Sequence, residues 1–177
     1  MEWFSMRLKL ALLVLALAFV APPVSAQLSD FQVMGSGTVE TNCLVTLGSG
    51  CTATSSGEAT VTIINNGAFV LRLDTGSPTL LNGYPAGPLA GSQQGICLPA
   101  SSVGWLTGAN GDTINFNHVG LVCEEAAPGS PYLYNGTYRI TGGTGMFSAA
   151  VGGGSVTSTF TRDGATVYLH LHGTIRY

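Results

Sequence analysis

A glycine-rich turn between two strand-like segments constrains the fold of this chain more than any other feature. The turn, Gly142-Gly143-Thr144-Gly145, lies within residues 135–160, which read NGTYRITGGTGMFSAAVGGGSVTSTF. Glycine adopts the positive φ angles that tight turns and bulges need. A phosphate-binding loop is excluded because no helical pattern follows whose N-terminus could hold the anion. The segment therefore predicts a structural turn that joins two strands.

The N-terminal residues have the features of a secretory signal peptide. Positive charge precedes an apolar run at residues 8–20, and residues 24–26 (VSA) have the small-x-small form that signal peptidase cuts. The run is too short for a stable membrane span. We predict that residues 1–26 are a signal peptide and that residues 27–177 form one secreted domain, extracellular or periplasmic.

The charge of this domain argues against two classes of partner. Residues 27–177 carry four arginines against eight acidic side chains, a formal charge of −4. A basic track for phosphate contacts is missing, which argues against nucleic acid. It also argues against electrostatic binding to anionic membranes, so no membrane contact is expected after signal cleavage.

Short alternating runs bounded by turn residues dominate the domain, and no window shows an uninterrupted helical period. Strands are predicted near residues 31–34, 37–44, 58–64, 68–74, 97–106, 113–123, 137–141, 146–161 and 165–177. Glycines inside strands favour the sharp bends of a barrel. We predict an all-β, antiparallel, eight-stranded barrel, with a β-sandwich as the alternative.

The first of three predicted hairpins turns at Asn65-Asn66-Gly67. A three-residue loop with glycine in the left-handed position keeps the apolar side chains on one face. The predicted register pairs Ile63 with Phe69, Val61 with Leu71, and Ala59 with Leu73.

The second hairpin turns at residues 109–111, and its register predicts a disulfide. This register pairs Leu106 with Ile114, Gly104 with Phe116, and Cys97 with Cys123. Four cysteines in an exported chain suggest two bridges, so the remaining pair is Cys43 and Cys51.

The third hairpin turns at Asp163-Gly164, a type I′ signal. Its apolar face pairs Phe160 with Val167, Ser158 with Leu169, and Val156 with Leu171. Its other face sets serines and threonines opposite Tyr168, His170 and His172, which we name as candidate binding residues.

His170 and His172 also allow a metal site as a weaker alternative, since strands often supply two ligands in this way. The further ligands available to them are His118 and Glu124 or Glu125. Their serine- and threonine-rich surroundings are more typical of a solvated face, so no metal or other cofactor is predicted.

The sequence offers no catalytic constellation. Asp112 is expected to stabilise its turn, and Glu124 and Glu125 are neighbours that point apart in an extended chain. A Gly-x-Ser-x-Gly motif is missing, and all four cysteines are assigned to bridges. Asn135 begins a glycosylation sequon that matters only in a eukaryotic host.

The run GTYRITGGTGMF at residues 136–147 resembles a signature of the allene oxide cyclase and dirigent barrels, and of many bacterial secreted proteins with a GGTG-x-F segment. The resemblance covers residues 136–154 closely and residues 97–177 loosely. It implies an eight-stranded antiparallel barrel. Met146 replaces a basic residue common in several relatives, and no active-site residue of the family can be carried over.

These observations favour a secreted, disulfide-stabilised barrel that binds rather than catalyses. The expected ligand is a small apolar or phenolic molecule in the barrel mouth, or a protein partner. The long loop at residues 75–95 either covers this mouth or is an excursion with no role in ligand binding. One alternative is a cyclase, isomerase or dirigent-like protein that steers a reactive intermediate, which buried and convergent Asp, Glu, Arg or Tyr would support. Another is a structural extracellular protein, and a homo-oligomer is compatible with each.

Overall fold

Eight antiparallel strands form a closed barrel in the computed structural model of the protein. The structure describes residues 28–41, 50–76, 97–124, 131–161 and 165–177. The strands are β1 (Leu28–Thr41), β2 (Thr52–Val61), β3 (Asn65–Thr75), β4 (Cys97–Gly108), β5 (Thr113–Glu124), β6 (Tyr132–Gly143), β7 (Val151–Phe160) and β8 (Val167–Arg176). Each strand pairs with the next, and β8 pairs with β1. The predicted all-β barrel is confirmed, and the sandwich alternative is wrong. The predicted signal peptide lies outside the described residues.

The barrel interior is a core built from alternate residues of every strand, as a closed sheet requires. Its largest fully buried side chains are Tyr134, Phe31, Phe69, Phe116, Phe147, Leu71, Leu106, Ile114, Ile140, Leu171, Ile175 and His118. Strand polarity puts the turns after β2, β4 and β6 at one end of the barrel, which we call the turn end. The connections after β1, β3, β5 and β7 lie at the opposite end, the loop end.

The registers of the second and third hairpins are confirmed. Ile114 lies opposite Leu106, and Val167 lies opposite Phe160. Cys97 pairs with Cys123 and forms the predicted disulfide at the loop end. Such bonds are typical of proteins in oxidising, extracytoplasmic compartments. Cys51 is also disulfide-bonded, and its predicted partner, Cys43, lies outside the described residues.

The register of the first hairpin was wrong, because the chain turns three residues earlier. Val61 pairs with Asn65, and the Ile64 amide donates to the Val61 carbonyl at 3.3 Å. Asn65 takes the left-handed position with a φ of 58°, which asparagine tolerates. Gly67 instead pairs with β4, where a side chain would crowd the carbonyl of Thr107. Each residue of β2 pairs with a residue of β3 six positions before the predicted one. Because six is an even number, the side chains predicted to point inward still do so.

Several strand boundaries also differ from the prediction. Two separate strands were predicted at residues 31–34 and 37–44, but β1 is continuous from Leu28 to Thr41. An ideal Cβ on Gly35 would lie 2.9 Å from the Phe69 ring. β7 runs without a break through the three glycines at residues 152–154. β6 is longer than expected, and the strand predicted from residue 146 begins only at Val151, since a single 3₁₀ turn precedes it.

That 3₁₀ turn, η1 (Gly145–Phe147), explains the glycine-rich motif. Gly145 has a φ of 56°, and the Asp112 carboxylate occupies the space where its side chain would be. The Thr144 hydroxyl accepts from the Thr113 amide at 2.9 Å, which ties η1 to the β4–β5 turn. Phe147 is fully buried and closes the turn end of the core, with its ring centroid 5.1 Å from that of Tyr177. The motif therefore connects the β6–β7 turn to the β4–β5 turn and has a structural role.

Candidate ligand-binding groove

An open groove of about 870 Å³ runs across the outer surface of the barrel. We call it the outer groove. Its lining residues are Met34, Gly35, Ser36, Glu58, Ala59, Thr60, Asn66, Gly67, Ala68, Thr107, Gly108, Ala109 and Tyr168. Apart from Ala109, which follows β4, they come from five neighbouring strands, β8, β1, β2, β3 and β4. Closure of the sheet between β8 and β1 is therefore needed to assemble the groove.

One row of paired residues forms the long axis of the groove. In order across the strands the row is Tyr168, Ser36, Glu58, Ala68 and Thr107. Four interstrand spacings of about 4.8 Å give it a length of about 19 Å along the sheet. Short side chains occupy most of the row, which leaves room above them.

Glycines behind this row let β1 and β2 approach each other closely. Gly37 lies directly opposite Gly57, and a side chain on either would overlap the backbone of the neighbouring strand. An ideal Cβ on Gly35 would also lie 2.9 Å from the Phe69 ring, so this ring occupies the space beside β1. The glycine pattern thus shapes the part of the sheet that carries the groove.

Two large apolar side chains stand at the β8–β1 end of the outer groove. Met34 is 66% exposed and Tyr168 is 57% exposed. Both side chains border the groove, and contiguous exposed apolar surface is a feature of many binding sites. Of the three candidate binding residues, Tyr168 is the one that lines the outer groove.

The two other candidate binding residues lie outside the groove. His170 and His172 are exposed on the outer face of β8, opposite Thr157 and Ser155. His118 points into the core, on the opposite side of the sheet wall from this pair. No group of three or more metal-ligating side chains occurs among the described residues. Glu124 is described only through its backbone, and Glu125 lies outside the described residues.

The sequence did not reveal the central polar contact of the core. His118 Nε2 donates to the Arg72 carbonyl at 2.7 Å, which leaves Nδ1 to accept from the Tyr134 hydroxyl at 2.8 Å. Burial lowers the pKa of His118 below 6.5, while the Arg72 and Val103 carbonyls and Asp74 oppose this shift. Burial also raises the pKa of Tyr134. Both ring nitrogens of His118 therefore have a hydrogen-bond partner within the barrel, and the pair stabilises the core while the imidazole is uncharged.

A second tyrosine is buried without such a partner. Tyr138 is 4% exposed, and its hydroxyl has no hydrogen-bond partner among the described residues. Its ring lies within 6.0 Å of both Phe31 and Phe116, and its hydroxyl fills the space beside Gly173. Burial, with a contribution from Asp30, raises its pKa to about 12. The Ser158 hydroxyl is likewise buried and unpaired within the described part of the chain.

The described interior is a packed core. Its side chains interlock across all eight strands, and none of the buried ones among the described residues is an Asp, Glu or Arg. The hydroxyls of Tyr134 and Tyr138 turn toward different neighbours, so they do not converge on one point. This arrangement counts against a small-molecule site in the middle of the barrel. Most of the loop predicted to cover the mouth lies outside the described residues, which end at Gly76 and resume at Cys97.

These features define a class, a disulfide-bonded, closed, eight-stranded antiparallel barrel with a groove on its outer wall. Comparison with protein-family models, with curated proteins and with solved structures finds no match. The fold implied by the resemblance to allene oxide cyclase and dirigent barrels is confirmed, and membership of that family stays a prediction. Within the described residues, no helix is long and apolar enough to cross a membrane.

Proposed function

We propose that this protein is a secreted binding protein whose outer groove holds a small apolar or phenolic molecule. The groove itself carries the proposal. It is an open depression of about 870 Å³, and it is bordered by exposed Met34 and Tyr168. The polar side chains along its floor supply the few hydrogen-bonding groups that orient a ligand in such sites.

The Tyr168 ring is the natural surface for an aromatic ligand. Aromatic pairs contribute about 0.5–1.5 kcal/mol beyond the area that they bury, which corresponds to roughly two- to tenfold in affinity. The flexible thioether of Met34 on the adjoining strand adapts to ligands of different shape. Both side chains are already exposed, so the ligand need not displace any part of the core.

Calorimetric titration with 4-ethylphenol tests this proposal. The Tyr168→Ala variant should bind it at least threefold more weakly than the unaltered protein does. The matched control is His172→Ala, a substitution on the same face of the same strand that lies outside the groove and should leave the affinity unchanged. Equal binding by the unaltered protein and Tyr168→Ala, or no binding at all, would contradict a ligand site at this groove.

A further inference from the structure

The outer groove has a charge asymmetry that restricts its ligands. Glu58 lies at the middle of the five-residue row, between Ser36 and Ala68, two short uncharged neighbours. Of the described residues that line the groove, it alone has a formally charged side chain, since no Asp, Lys, Arg or His is among them. Glu58 is exposed and forms no ion pair with another described residue. Its carboxylate is therefore available to a ligand.

The position of Glu58 relative to the apolar end sets the shape of that ligand. Tyr168 lies two strands away along the same row, about 10 Å between backbones, and both side chains project to the same outer surface. A molecule with an aromatic ring against Tyr168 and Met34 and a short arm toward β2 brings the end of that arm near the carboxylate. A cation at that point is attracted, whereas an anion is repelled and has no basic group in the lining to offset the repulsion.

We infer that the outer groove selects arylalkylammonium compounds, with Glu58 pairing the ammonium group and with Tyr168 and Met34 covering the ring. This inference rests on the proposed function and specifies the ligand class for the same site. The formal charge of −4 on residues 27–177 also favours the approach of a cation over that of an anion.

Three ligands that share one phenol ring test the inference. Tyramine carries an ammonium arm, 4-ethylphenol a neutral arm, and 3-(4-hydroxyphenyl)propanoate a carboxylate arm. At low salt the protein should bind tyramine about three- to fivefold more tightly than 4-ethylphenol, as expected for an exposed ion pair, and the carboxylate most weakly. Added salt should reduce the difference.

The Glu58→Gln variant should bind tyramine and 4-ethylphenol equally. Glu40→Gln, which removes an exposed carboxylate from β1 outside the groove, should retain the preference. Binding of 4-ethylphenol without a preference for tyramine would overturn the inference and leave the proposed function standing. Failure of all three ligands to bind would overturn both. Light scattering that shows a dimer dissociated by Met34→Glu would assign the groove to a second copy of the chain and would also overturn both.

Discussion

At the scale of single residues, the core separates two tyrosines that look alike in sequence. Tyr134 and Tyr138 are four positions apart on β6, and both point inward. The hydroxyl of Tyr134 is paired with His118, whereas that of Tyr138 has no partner among the described residues. The sequence predicted neither role, because each depends on which side chain of a neighbouring strand the ring reaches across the barrel.

Replacing each tyrosine with phenylalanine should therefore have opposite consequences. Tyr134→Phe leaves His118 Nδ1 buried without a donor, and we expect it to lower the free energy of unfolding by about 1–3 kcal/mol. Tyr138→Phe removes a hydroxyl that has no described partner, and we expect no loss of stability or a small gain. Urea denaturation of the two variants measures both values. Equal losses would show that the two hydroxyls have equivalent environments.

At the scale of secondary-structure elements, the glycine-rich motif acts as a contact between two turns. The Asp112 carboxylate accepts from the Asn110 side chain at 2.9 Å and lies against Gly145 of η1. The predicted structural role of the motif and the predicted role of Asp112 in its turn agree with this contact. The contact between the two turns was not predicted, since they are more than thirty residues apart in sequence.

Two glycines with positive φ angles allow this contact to be tested. Gly111 and Gly145 both adopt left-handed geometry, but nothing lies within 4 Å of an ideal Cβ on Gly111. Alanine should cost both sites backbone strain of roughly 1–2 kcal/mol, and Gly145→Ala should cost at least about 1 kcal/mol more through overlap with Asp112. Thermal unfolding compares the variants. If Asp112→Ala does not reduce the excess cost of Gly145→Ala, the overlap is not its cause.

The hairpins show where sequence reasoning succeeded and where it failed. The second and third registers were predictable because the sequence offers one turn signal for each, at residues 109–111 and at residues 163–164. The first failed because two residues can supply a left-handed conformation, and Asn65 was chosen over Gly67. The residue types of a turn thus predict the hairpin register when only one residue can take the left-handed position. When two residues can take it, packing against the rest of the barrel selects between them.

At the scale of the whole molecule, closure of the barrel creates the candidate site. The outer groove needs Tyr168 of β8 beside Ser36 of β1, although these residues are more than one hundred positions apart. The sequence identified Tyr168 as exposed on a polar face, but it did not indicate Met34 or Glu58 as its neighbours. Only the pairing of first and last strands brings the three together. The fold was therefore largely predictable from local patterns, whereas the groove was not.

The central claim is that the ligand binds to the outer wall of the barrel and not to its interior. Mapping of ¹H–¹⁵N NMR chemical shifts during a tyramine titration tests this most directly. We predict that the amides that shift belong to the row from Tyr168 through Ser36, Glu58 and Ala68 to Thr107. Shifts that concentrate on core residues such as His118, or on the loop end, would contradict the claim.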